Sequence, residues 1–161
     1  MDFRAGRHFL QLPGPSPVPD RVLRAMSRAV LDHRGPEFAE LGLKVLRDFK
    51  PGFGTESHVI IFPSSGTGAW EAALVNTLSP GDKVLMFETG QFASLWRELA
   101  GKLGIEVDFI GGDWRSGVNA GQVEEKLRAD TNHTYKAVCM VHNETSTGVT
   151  SNVANVRNAI D

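Results

Sequence analysis

The chain reads as an α/β protein with a mainly parallel sheet and helices on both faces, preceded by a proline-rich arm and two helices. Three observations predict this. From residue 58 onward, apolar runs of strand length alternate with segments whose apolar residues recur at helical spacing. Glycine, proline and serine clusters punctuate those runs. The composition, 161 residues with 41% hydrophobic and 22% charged, is that of an ordinary globular chain large enough for one core.

The elements follow in order. Leu12-Pro13-Gly14-Pro15-Ser16-Pro17-Val18-Pro19 cannot be helix or central strand, because four prolines remove donors and fix φ, so it is an extended arm. Pro19 suits a first helical turn. Val22, Leu23, Met26 and Val30 then give a short amphipathic helix ending near His33-Arg34-Gly35-Pro36. A second helix presents Phe38, Leu41, Val45, Leu46 and Phe49 on one face and stops at Pro51-Gly52. Val59, Ile60, Ile61 and Phe62 read as a short buried strand, leading into a helix from Thr67 with Ala69, Ala72, Ala73, Leu74 and Leu78 at helical spacing. Ser79-Pro80-Gly81-Asp82 turns into a strand over 83–87, a helix over 91–103 and a strand over 105–110. A loop, a helix near 120–129, a strand over 136–141 and a helix from about Ser151 complete a β-α-β-α-β-α-β order. The expected division is 1–57, arm and helices, and 58–161, part of an α/β domain.

In such a fold ligands gather beyond the carboxyl ends of the strands. The most informative junction is Phe62-Pro63-Ser64-Ser65-Gly66-Thr67-Gly68, where a Ser/Gly/Thr cluster opens a helix. Unpaired N–H groups and the positive end of the helix dipole converge there, Ser65 and Thr67 add hydroxyls, and Gly66 and Gly68 let a ligand approach the main chain. The alternative is a Ser/Thr cap with turn glycines. A Walker A loop is excluded by the missing Gly-Lys-Ser/Thr, and the dinucleotide fingerprint by Glu71 in place of the third glycine. Glu88-Thr89-Gly90-Gln91-Phe92 and His142-Asn143-Glu144-Thr145-Ser146-Thr147-Gly148 follow two further strands. Together the three ends offer a phosphate cradle, an aromatic ring and polar groups, which suits a flat phosphorylated aromatic ligand such as pyridoxal phosphate.

Other classes are disfavoured. With 17 basic and 19 acidic side chains, net charge −2, no footprint for nucleic acid or an anionic membrane is visible. No apolar run approaches the ~20 residues of a membrane span, and Met1-Asp2-Phe3-Arg4 lacks a secretory signature, so a cytoplasmic protein is expected. Cys139, the only cysteine, lies in an apolar run and reads as a buried thiol. His8, His33, His58, His133 and His142 lack metal-site spacing, so no metal is expected.

The residues also carry a resemblance. Pro13-Gly14-Pro15, Asp32-His33-Arg34 with Glu37-Phe38, Phe62 to Gly68, Gly81-Asp82-Lys83-Val84-Leu85, Gly90-Gln91-Phe92, and His142-Asn143-Glu144-Thr145 with Thr147-Gly148-Val149 occur in the order and spacing of class V, fold type I pyridoxal-phosphate aminotransferases. The chain is most similar to the serine–glyoxylate and alanine–glyoxylate branch. The resemblance implies that Ser65, Gly66 and Thr67 hold the cofactor phosphate, that Phe92 stacks on its ring, that Thr145 hydrogen-bonds its phenolic oxygen, and that Gly14 lies near the substrate. It also implies small amino-acid and 2-oxo-acid substrates and a homodimer. The Schiff-base lysine and the aspartate for the pyridinium nitrogen are expected beyond Asp161, since Lys44, Lys50, Lys83, Lys102, Lys126 and Lys136 match no such context; the 161 residues alone are then expected to be inactive. A class V lyase such as a cysteine desulfurase is disfavoured by Phe92, where a histidine would stand. A non-catalytic phosphate-binding module is the remaining alternative.

Overall fold

The computed structural model describes Leu10 and Leu12–Asp161. The N-terminal tetrapeptide read for a secretory signal, and His8, lie outside the described residues. The chain divides into two compact units, the first reaching Ile61 and the second spanning Phe62–Asp161.

In the first unit the proline-rich arm leads to α1 (Asp20–Met26), whose first N–H groups, on Val22 and Leu23, donate to the Pro19 carbonyl at 2.9 and 3.1 Å. The helix is shorter than its apolar pattern predicts. Ser27 closes it, because both its N–H and its hydroxyl bond back to the Leu23 carbonyl, and Val30 beyond it is 98% exposed. α2 (Pro36–Phe49) begins with proline at its first position, as expected, and runs into a single 3-10 turn, Lys50–Phe53, before Gly54 at φ 58° ends it. Neither α1 nor α2 buries a residue.

The predicted strand at 58–62 does not form. Ile60, Ile61 and Phe62 are 70%, 58% and 52% exposed, and among the described residues no strand pairs with them. An apolar run becomes a strand only when a neighbour completes its ladder of hydrogen bonds, and none of the described elements does so.

The second unit follows the predicted alternation. It runs α3 (Gly66–Thr77), β1 (Lys83–Phe87), α4 (Gln91–Lys102), β2 (Glu106–Ile110), α5 (Ala120–Ala129), β3 (Tyr135–Cys139), a two-residue pair β4 (Asn143–Glu144) and β5 (Val149–Thr150), and α6 (Val153–Ile160). β1 is central in the order β2-β1-β3, and both of its pairings are parallel. β4 and β5 form a small antiparallel hairpin, an element absent from the expected β-α-β-α-β-α-β order.

The apolar run of β1 explains its central place. Val84 and Met86 point to one face, where they pack with Leu74 of α3 and Ala100 of α4; Leu85 and Phe87 point to the other, with Val123 of α5 and Val156 of α6. All four strand residues are at most 4% exposed. Helices therefore cover both faces, and the parallel arrangement brings the carboxyl ends of the three strands to one edge. Asn119 and Asn152 cap α5 and α6, their side chains accepting from Gly121 N at 2.9 Å and Asn155 N at 3.0 Å.

Candidate active site

Two helices start at the edge where β1 ends, and their first turns are built differently. α3 begins after Ser65, whose backbone is extended (ψ 179°) but whose hydroxyl makes no cap hydrogen bond. The simple N-cap explanation of this serine therefore fails. The Gly68 N–H finds the Ser65 carbonyl at 3.0 Å, while helix geometry leaves the N–H groups of Gly66 and Thr67 without an intrahelical partner. Ser65, Gly66 and Thr67 are all exposed, and a Cβ on Gly66 would meet nothing within 4 Å. A Cβ on Gly68 would lie 2.3 Å from the Ser64 hydroxyl, so this glycine makes room for Ser64.

α4 begins after Gly90, which has no side chain to offer as a cap. Its donors are met from 51 to 55 residues away: Gln91 N–H donates to Ser146 Oγ at 3.0 Å, Phe92 N–H to Glu144 Oε1 at 3.2 Å, and Ala93 N–H to Glu144 Oε2 at 3.0 Å. Ser146 also donates to Glu144 Oε1, from its hydroxyl at 2.8 Å and its N–H at 3.2 Å. Glu144 is 1% exposed. Burial alone would push its carboxyl up, but the hydrogen bonds from the Ser146 hydroxyl and from the Ala93, Ser146 and Phe92 amides outweigh that and hold it below the usual glutamate range.

Phe92 keeps 36% of its surface exposed at the start of α4. Its ring meets Trp70, one turn into α3, edge to face at 6.0 Å, and Trp70 in turn stacks on Trp96 at 5.7 Å. This aromatic string fixes the two helix starts to each other, and the sequence reading had no role for Trp70. The spacing of Phe92 and Trp96, four apart on one helix, was the available signal. Thr145 is exposed in the turn between β4 and β5, directly after Glu144. Gly14 belongs to the first unit, as an exposed residue of the arm.

Glu144 and Thr89 escaped assignment from sequence. Thr89, at the end of β1, is 2% exposed, with its hydroxyl lacking a partner among the described residues; its carbonyl accepts from Thr147 Oγ1 at 3.3 Å. The lysines of this unit stand away from the carboxyl ends of the strands. Lys83 opens β1, with its ammonium 4.7 Å over the Tyr135 ring, and Lys126 pairs with Asp108 at 3.0 Å. Lys102 ends α4 and Lys136 lies near the start of β3. Cys139 is buried, and burial pushes its thiol up to about 11, which removes it as a nucleophile at neutral pH. No helix among the described residues is long and apolar enough to cross a membrane.

The donor set fits a phosphorylated aromatic ring: open amides and a free hydroxyl at a helix start, beside a helix carrying a half-exposed aromatic. The comparisons with known proteins point the same way. The serine–glyoxylate aminotransferase of Methylorubrum extorquens is 51% identical over 159 residues, covering 98% of this chain and 40% of the relative. The L-aspartate–glyoxylate aminotransferase of Paracoccus denitrificans is 42% identical, covering 93% of this chain and 38% of the relative. Among solved structures, a subgroup IV aspartate aminotransferase from Thermus thermophilus superposes with a TM-score of 0.85 at 30% identity, covering 94% of this chain and 42% of that one. The chain thus spans about two fifths of the length of these relatives. The aminotransferase class-V profile matches residues 8–161, and the enzymes of that family depend on pyridoxal phosphate. The chain belongs to the class-V aminotransferase family.

Proposed function

We propose that this chain is the cofactor-binding part of an aminotransferase that moves the amino group of serine to glyoxylate, giving hydroxypyruvate and glycine. The observation that carries the reading is the uncapped start of α3, tied through Trp70 to Phe92. Gly66 and Thr67 amides with the Ser65 and Thr67 hydroxyls would hold the phosphate of pyridoxal phosphate. Phe92 would present its face to the ring and Thr145 would donate to the phenolic oxygen. When bound, the cofactor supplies the electron sink for loss of the α-proton. The residues of this chain bind and orient; the lysine that moves the proton would come from outside these 161 residues, since Lys83, Lys102, Lys126 and Lys136 stand away from the carboxyl ends of the strands.

Both relatives named above share glyoxylate as acceptor and differ in donor, so the acceptor is the better supported half of the reaction. Serine is preferred as donor because the more similar relative uses it. A cytosolic homodimer is part of this reading, and its interface would cover some of the apolar surface that Val22, Leu23 and Met26 expose in the first unit. The test is an assay of the intact protein with glyoxylate and, in separate reactions, serine, alanine and aspartate. Glycine formation fastest with serine is expected. No glycine from any donor would sink the proposal, and faster turnover with aspartate would reassign the donor.

A further inference from the structure

Glu144 does something unusual for a capping group: it serves a helix more than fifty residues away in sequence. Gly90 leaves the start of α4 without a local cap, and the two carboxylate oxygens divide its donors, Oε1 taking Phe92 N–H and Oε2 taking Ala93 N–H. A carboxylate at a helix start is favoured by the dipole as well as by the charge-assisted hydrogen bonds. The same Oε1 accepts from both the N–H and the hydroxyl of Ser146, and Ser146 Oγ accepts from Gln91 N–H. The turn is also closed on the Glu144 carbonyl, which accepts from Gly148 N–H at 2.8 Å and Thr147 N–H at 3.3 Å.

The consequence concerns the neighbours. Phe92 sits inside the clamped segment 91–93, and Thr145 sits between the two clamped residues Glu144 and Ser146. Neither is held by its own side chain in this network; each is carried by a backbone that Glu144 fixes. The site has no slack at this point, because a Cβ on Gly90 would fall 2.5 Å from Glu144 Cγ and 2.6 Å from Ser146 Oγ.

We propose that Glu144 is a positioning residue for the cofactor: its buried carboxylate locks the backbone of Phe92 to the turn carrying Thr145, so that ring face and hydroxyl keep one spacing. This rests on the assignment of Phe92 and Thr145 as cofactor contacts made above. Glu144 itself touches neither ring nor phosphate. The clamp needs an acceptor on both arms. Glutamine has the same shape, but its NH2 would face an amide donor, so one arm of the clamp inverts from attraction to repulsion.

The experiment uses the intact protein and compares wild type, Glu144→Gln, the double variant Phe92→Leu/Thr145→Val, and the triple variant. Three quantities are read: amide hydrogen exchange of segment 91–93 in the apoprotein, the dissociation constant for pyridoxal phosphate, and the visible circular dichroism of the bound cofactor. Glu144→Gln is expected to speed exchange at Phe92 and Ala93, weaken cofactor binding by about tenfold, and diminish the visible signal. In the Phe92→Leu/Thr145→Val background the same substitution should change affinity by less than about twofold, because nothing is left to position. Faster exchange with unaltered affinity and signal would overturn the proposal, as would the full loss persisting in that background. If Glu144→Gln does not fold, Ser146→Ala removes the hydroxyl link to Gln91 and leaves the charge in place. A partial loss of affinity is then expected, and no change overturns the clamp. If Phe92→Leu/Thr145→Val binds the cofactor as wild type does, the site assignment has failed, whatever Glu144 does to exchange.

Discussion

The starts of α3 and α4 are alike in position and opposite in construction. Both are glycine-containing turns opening a helix in the second unit, and Trp70 links one to Phe92 in the other. At α4 the protein answers its own donors, through the Glu144 carboxylate and the Ser146 hydroxyl. At α3 it leaves Gly66 and Thr67 open and Ser65 without a cap. A helix start attracts an anion in either case. The difference is that the donors of α4 already meet a built-in carboxylate, whereas those of α3 are left free for the phosphate proposed above.

The sharpest way to break that comparison is to remove the hydroxyl at the open start. Ser65→Ala should weaken pyridoxal phosphate binding to the intact protein by about 1.5–3 kcal/mol, roughly ten- to a hundredfold, by loss of a charge-assisted hydrogen bond. Unfolding of the apoprotein should move by less than about 0.5 kcal/mol, since the exposed side chain caps nothing. Equilibrium dialysis and denaturant titration read the two effects separately. A stability loss with unchanged binding would make α3 an ordinary capped helix.

A glycine pair gives the next test. Gly90→Ala should destabilise the apoprotein by about 1–3 kcal/mol, because the new methyl collides with Glu144 and Ser146. Gly66→Ala, with nothing within 4 Å of its Cβ, should leave apoprotein stability nearly unchanged and show itself only in cofactor binding. Equal stability losses in the denaturation midpoints would erase the distinction between closed and open starts.

The smallest expected effect is acid sensitivity at α4. Glu144 has a folded-state value lowered from 4.5, so its stabilising contribution is fully present above about pH 4.5 and is lost as the pH falls through that lowered value. Amide exchange at Phe92 and Ala93 should therefore accelerate, relative to its intrinsic rate, only below pH 4.5. The open start of α3 carries no such carboxylate and should show no matching step. A step at or above pH 5 would contradict the lowered value.

How much of this was legible beforehand follows from the range of each interaction. The strands at 83–87, 106–110 and 135–139 and their helices were readable because apolar period, turn residues and β1's two-sided run are local properties. The Ser65-Gly66-Thr67 turn was readable for the same reason: a helix start is written in adjacent residues. The tight packing of Gly68 on Ser64 was not readable, because that neighbour becomes visible only when the turn is built. Residues 58–62 have a strand's composition, but composition supplies only one half of a hydrogen-bonded ladder, and the partner is a matter of tertiary structure. The clamp from Glu144 to Phe92 lies at the far end of the same scale. Sequence alone determined that a glutamate follows β3 and that a glycine without a cap opens α4; only folding, by bringing the ends of parallel strands to one edge, could decide that the carboxylate of the one would satisfy the amides of the other.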